Sequence, residues 1–220
     1  MKEDSSAEVA EGARWTLVFL RALARRYFPR DLGETSATSA LSLSRLCVSV
    51  VKPAMPATDL ELFALLDSLG IAHVTHAHAP VFTVAEARDL RGSLPGGHTK
   101  NLFLKDKKDG LWLVVAREEL AVDLKALSQV LGVPRFSFGS AELLMEVLGV
   151  PAGSVTPFAA MNDRSTKVRI VLDDGMMALD PLNFHPLRND RTTAISAPNL
   201  LRFLRATGHE PVIVALPTRE

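Results

Sequence analysis

The sequence predicts an α/β fold in which a mixed, mostly antiparallel central sheet carries helices packed against it. Three observations lead there. Residues 99–105 and 111–117 alternate with the period of a strand, and the Asp106-Lys107-Lys108-Asp109-Gly110 segment between them ends in the Asp-Gly pair that favours a hairpin. Leu60, Phe63, Ala64, Leu66 and Leu69 recur at helical spacing between a Thr58-Asp59 cap and Gly70, and similar capped stretches return later in the chain. Helix and strand signals are interspersed along the chain, the pattern of helices laid on a mixed sheet.

In chain order, residues 1–56 read differently from the rest. Residues 15–28 carry a candidate helix ending before Pro29, followed over 35–44 by a Ser/Thr/Ala-rich run without helix or strand period. Glu3, Asp4, Glu8 and Glu11 make this stretch too acidic for a transit peptide. The expectation is a poorly packed extension, with Met55 as an alternative start of the physiological protein; the globular domain runs over 57–218. Within it, the 58–69 helix leads into a strand over 71–78. Thr83-Val84-Ala85-Glu86 forms a capping box that starts a short helix to about Leu90, and residues 92–97 are a glycine-rich loop into the hairpin. A helix over 124–131 stops at Gly132, and a second begins after Ser140 and stops at Gly149. A second hairpin is predicted from strands at 168–172 and 176–179 around Asp173-Asp174-Gly175. Residues 183–189 read as irregular, 192–196 as a strand, 198–206 as a helix opened by Ser196 and closed by Gly208, and 212–216 as a last strand.

Bulk properties bound the function. With 220 residues, 47% hydrophobic and 23% charged, the chain can bury one full core beneath an ordinary polar surface. Its 25 basic and 25 acidic residues cancel, so nucleic acid must be met by a local patch. One cysteine, Cys47, excludes an intramolecular disulfide and a cysteine-built zinc site and fits a reducing cytoplasm. No apolar run nears the roughly 20 residues that cross a bilayer. Membrane and DNA are not expected partners.

For chemistry, the organising stretch is Gly97-His98-Thr99-Lys100-Asn101-Leu102-Phe103-Leu104-Lys105. Strand period puts Lys100 on one face with Leu102 and Leu104, and Asn101 on the other with Phe103. An ammonium at the mouth of an apolar face calls for an anion or carbonyl oxygen, or it snorkels into solvent. The preceding glycines do not make a phosphate loop, because His98 stands where that motif needs lysine and the loop opens a strand. His73, His76 and His78 lack a completing set of ligands, so no metal is expected. No Gly-x-Ser-x-Gly elbow occurs, and covalent catalysis has no support. What remains is positioning: a cation, Lys100, and backbone amides stabilise an oxyanion while water or a substrate hydroxyl carries the proton chemistry. Gly153-Ser154-Val155-Thr156-Pro157 can supply such amides, since glycine admits a ligand close to the backbone and proline stiffens the turn. The bland alternative is an ordinary connecting turn. His185, extended by Pro186, either meets a substrate amine or hydroxyl or is a satisfied core histidine.

Taken in order, His78-Ala79-Pro80-Val81-Phe82-Thr83, His98 through Leu104, the Gly153 to Pro157 loop, Met161-Asn162-Asp163, and Asn183-Phe184-His185-Pro186-Leu187 with Thr192-Thr193 resemble the free-standing aminoacyl-tRNA editing proteins related to the insertion domain of bacterial prolyl-tRNA synthetase. The similarity spans about 58–216, and within that superfamily it is nearest the ProXp-ala type, with the cysteine-clearing YbaK type more distant. It implies hydrolysis of the ester that joins alanine to tRNA(Pro), without a cofactor. It also implies that Lys100 is central to the site, that Gly153, Ser154, Val155, Thr156 and Pro157 hold the aminoacyl end, and that His185, Asn101, Asn162 and Thr83 line the substrate pocket. The expected partner is the acceptor end of tRNA(Pro) charged with alanine, with prolyl-tRNA synthetase as a candidate second partner. Lys105 and Arg135, with Lys107 and Lys108, are the expected basic rim for tRNA phosphates, against a merely solvated hairpin tip. Two rivals stay open: a deacylase for another small acyl group, cysteine or serine, and a non-catalytic tRNA-binding module assisting a synthetase.

Overall fold

The structure, a computed structural model, describes residues 55–78 and 94–219. The helix expected near 13–28, the 83–90 helix, Cys47 and Thr83 lie outside these residues. Helix α1, Asp59–Ser68, opens as its sequence dictates: the Thr58 hydroxyl accepts from the Glu61 amide and the Glu61 carboxylate accepts from the Thr58 amide at 2.7 Å. This capping box spends two donors that the first turn would otherwise leave open. Leu62 and Leu66, four residues apart on one face, are completely buried.

The chain continues through β1 (His73–Ala77), β2 (Gly97–Asp106), β3 (Leu111–Arg117), α2 (Leu124–Val130), β4 (Phe136–Phe138) and α3 (Ala141–Leu148). A 3₁₀ turn, Pro157–Asn162, precedes β5 (Val168–Asp173), and another, Met176–Ala178, precedes β6 (Leu182–Phe184), β7 (Arg191–Ile195), α4 (Ala197–Ala206) and β8 (Val212–Val214). The eight strands form one sheet in the order β1-β7-β6-β2-β3-β5-β8, with β4 off this path and paired with the hairpin end of β2. Pairings β1–β7, β2–β3, β2–β4 and β6–β7 are antiparallel, while β2–β6, β3–β5 and β5–β8 are parallel. The mixed, mostly antiparallel sheet expected from the sequence is the observed one.

The β2–β3 hairpin runs in unbroken register from Thr99 opposite Arg117 to Lys105 opposite Leu111. Asp106 ties its turn: one carboxylate oxygen accepts from the amides of Lys108 (2.7 Å) and Gly110 (3.0 Å), the other from the Trp112 indole (3.0 Å). Burial alone would raise the Asp106 pKa, but the indole and the two amides outweigh it and hold the carboxyl below its ordinary value. Strand alternation sorts the hairpin between two cores. Phe103, Leu113 and Val115 pack with α1, α3, α4 and the first 3₁₀ turn; Leu104, Trp112, Val114 and Ala116 pack with Leu127 of α2 and Phe136 of β4.

The second predicted hairpin does not form. Residues 176–178 make a 3₁₀ turn, and β5 pairs in parallel with β3 and β8 instead. The physical reason lies in β5 itself: Ile170, Val171 and Leu172 are all buried, so both faces of the strand are covered, as at the centre of a parallel sheet. The Asp174 amide bonds to the Val214 carbonyl at 2.9 Å, and Met176 enters the core rather than starting a return strand. Leu182–Phe184, expected to be mostly irregular, is strand β6, and β4 was not anticipated. Among the described residues no helix is long and apolar enough to cross a membrane.

Candidate active site

Two separate stretches of chain build the candidate site. After α3 closes at Gly149, the Ser154 amide bonds to the Pro151 carbonyl at 3.0 Å and the chain turns through Gly153 at φ +92°, a conformation L side chains rarely adopt. A Cβ at Gly153 would meet nothing within 4 Å, so the backbone here is open to close approach. The Thr156 hydroxyl then accepts from the Phe158 amide at 3.3 Å, and Pro157, buried, is the first residue of the 3₁₀ turn. The expectation that the amides of Ser154, Val155 and Thr156 are all available narrows to two. Ser154 spends its amide on Pro151, whereas no hydrogen bond from the amides of Val155 or Thr156 is found among the described residues.

The second stretch is β2. Asn101 donates from Nδ2 to the Val155 carbonyl at 2.9 Å, which fixes the amide's orientation because a carbonyl needs a donor. Its Oδ1 is thereby left buried without a hydrogen-bond partner. Buried acceptors are nearly always satisfied, so an unpartnered one calls for a donor. Asn101, Phe103, Phe138, Gly139, Gly153 and Val155 are among the residues lining a cavity of about 190 Å³.

Lys100 and His185 do not line this cavity. Lys100 stands opposite Ala116 on the Leu102–Leu104 face of β2, so it is Asn101, its neighbour, that reaches the Gly153 turn. The Lys100 side chain is half-buried, and its ammonium makes no hydrogen bond or ion pair among the described residues. His185 follows β6, whose Asn183 pairs with His98 of β2. Its Nδ1 lies 3.0 Å from the Arg191 carbonyl and so carries the proton, leaving Nε2 as an acceptor. Burial pushes the imidazole pKa down, the Arg191 bond works against this, and His78, with ring centroids 6.4 Å apart, adds to the depression. Leu187, at φ +65°, bonds its amide back to the His185 carbonyl at 2.9 Å, a strained turn that holds the histidine in place. His78 in turn lies 3.0 Å from the Thr192 hydroxyl, a contact the sequence did not announce.

Asn162 stands apart from Asn101. Its Oδ1 accepts from the Ala57 amide and its Nδ2 donates to the Leu148 carbonyl, both at 2.8 Å, and it lines a different cavity with Gly149 and Arg164. Lys105 pairs with Asp109 at 2.7 Å near the hairpin tip, and exposed Arg135 precedes β4, which pairs with the same end of β2. Both therefore lie toward the hairpin end of β2, beyond the residues 101–103 that line the cavity. Among the described residues no three His, Cys, Asp or Glu side chains are grouped as metal ligands.

The model of the aminoacyl-tRNA editing domain family matches residues 78–203, more than half the chain. The chain belongs to this family. The prolyl-tRNA synthetase associated domain-containing protein 1 of Danio rerio is 40% identical over 157 residues, covering 70% of this chain and 85% of that protein. The prolyl-tRNA editing protein ProX of Acetoanaerobium sticklandii is 32% identical over 149 residues, covering 67% and 91%. A crystal structure described as that of a proposed trans-editing enzyme for prolyl tRNA synthetase superposes with a TM-score of 0.55 at 17% identity, covering 74% of this chain and 99% of its own, which shows the shared fold. The editing-domain match begins at His78, so it takes in β2, the Gly153 turn and His185 and ends within α4.

Proposed function

We propose that the chain is a trans-editing hydrolase that deacylates mischarged Ala-tRNA(Pro). The observation that carries this reading is the buried, unpartnered Asn101 Oδ1 on a cavity wall shared with Val155, whose amide makes no hydrogen bond among the described residues. An aminoacyl ester presents the complementary set: an α-ammonium that needs an acceptor, and a carbonyl oxygen that becomes an anion in the transition state and needs donors. Asn101 receives the ammonium and the Val155 amide meets the developing oxyanion, while Lys100, outside the cavity on its flexible stem, is the cation that steadies the acceptor strand beyond it. His185, neutral, offers Nε2 to a substrate amine or hydroxyl, and Gly153 and Pro157 fix the turn. Ser154 is a packing residue in this scheme. No side chain acts as a covalent nucleophile; water or a substrate hydroxyl attacks. A cavity of about 190 Å³ favours a small acyl group. A second sieve of this kind is needed because a methylene is worth only about 1–3 kcal/mol of discrimination in a synthetase pocket.

The test is single-turnover hydrolysis of Ala-tRNA(Pro) by the full chain and by Lys100→Ala and Asn101→Ala, with folding checked by circular dichroism. Each variant is expected to lose at least about tenfold in rate, the effect of removing one charge-assisted contact of about 1.4 kcal/mol or more. Unchanged rates in both would remove the positioning scheme. tRNA binding without hydrolysis in the wild type would favour the rival reading of a binding module.

A further inference from the structure

The cavity beside Asn101 is too small for the whole end of a charged tRNA. At about 190 Å³ it falls below the roughly 300–1,000 Å³ that encloses a drug-sized ligand, so an aminoacyl group fills it and the terminal nucleobase stays outside. At its edge stands Phe138, 67% exposed and one of the lining residues. Its setting is firm. Phe136, two residues earlier, is buried edge-on against the Trp112 ring, and Phe138 stands in register with Leu104 of β2. The next residue, Gly139, bonds its amide to the Phe103 carbonyl at 3.0 Å and lies so close to the Phe103 ring that a Cβ would come within 2.5 Å of it. The ring is thus held by its strand at both sides while its face is open to solvent. Two cations lie along the same pair of strands: exposed Arg135 three residues earlier, and Lys105, which pairs with Ser137 and therefore projects from the face of the strand pair opposite the ring. An aromatic face beside cations is the arrangement by which proteins hold single-stranded nucleic acid, the ring taking the base and the cations the phosphates.

We infer that Phe138 is the stacking platform for the unpaired terminal adenine of the acceptor strand, with Arg135 meeting an adjoining phosphate. The inference rests on the deacylase reading of the neighbouring cavity and names how that site takes hold of its substrate. It is tested by equilibrium binding, which does not depend on turnover. Two uncharged minihelices with the tRNA(Pro) acceptor sequence are compared, one ending in adenosine and one abasic at that last position. Wild type is expected to bind the adenosine-ended minihelix about ten- to a hundredfold more tightly, the effect of one stacked base. Phe138→Ala and Phe138→Leu lose that preference and Phe138→Trp keeps it. Equal binding of both minihelices by wild type, or a Phe138→Ala protein that discriminates as wild type does, overturns the inference. Exposure of the ring means that these variants fold. A protein that hydrolyses Ala-tRNA(Pro) yet shows no Phe138-dependent preference refutes the stacking role alone. One that shows the preference but hydrolyses no charged tRNA refutes the deacylase reading alone.

Discussion

Asn101 and His185 owe their character to the single hydrogen bond each already makes. Asn101 spends its donor on Val155 and keeps a dry acceptor, so Asn101→Ala removes the acceptor and also orphans the Val155 carbonyl. Urea unfolding of that variant is expected to show a loss of about 1–3 kcal/mol, beyond the effect on hydrolysis. His185 donates its Nδ1–H to the Arg191 carbonyl, and burial disfavours its charged form. A histidine whose folded pKa lies below its unfolded value near 6.5 binds its proton more readily when unfolded. Its neutral form therefore stabilises the fold fully above about pH 6.5, and that contribution is lost as pH falls below it. His185→Gln lacks this titration. The stability gap between wild type and His185→Gln is expected to narrow between pH 7.5 and 5; a gap that stays constant or widens contradicts the assignment.

The β2–β3 hairpin and β4 hold the site at the scale of elements. Gly139 passes the Phe103 ring where no Cβ fits, so Gly139→Ala forces the ring or the β4 connection to shift. Overpacking of this kind costs about 1–3 kcal/mol, readable by thermal or urea unfolding, and the shift falls on the cavity wall. These elements also show what could be read from residues alone. The β2–β3 hairpin was legible because its alternation is regular and its turn ends in Asp-Gly, and α3 because Ser140 and Gly149 bracket it. β5 misled because Asp173-Asp174-Gly175 has the local chemistry of a hairpin turn, while its true partners, β3 and β8, are remote in sequence and cannot be inferred from a turn. β4 and β6 have three residues each, too few to display a period. At the site, the Gly153 turn and β2 were both legible, but which neighbour meets the turn was not. Strand alternation decides that, and it favours Asn101 over Lys100.

Over the whole molecule, a formal net charge of zero leaves tRNA affinity to local cations. If Arg135 meets a phosphate, Arg135→Ala weakens binding and lowers the slope of log affinity against log salt by about one, measured between 50 and 200 mM salt. An unchanged slope removes Arg135 from the interface. The proposed function requires that a small cavity walled by Asn101 and Val155 clears alanine from tRNA(Pro) while sparing proline. The most direct measurement is single-turnover hydrolysis of a panel, Ala-, Pro-, Ser- and Cys-tRNA, at one salt concentration with and without chelator. The expected result is rapid loss of alanine from tRNA(Pro), little loss of proline, and no effect of chelator. Hydrolysis of none of the panel, or of Pro-tRNA(Pro) as fast as Ala-tRNA(Pro), contradicts it.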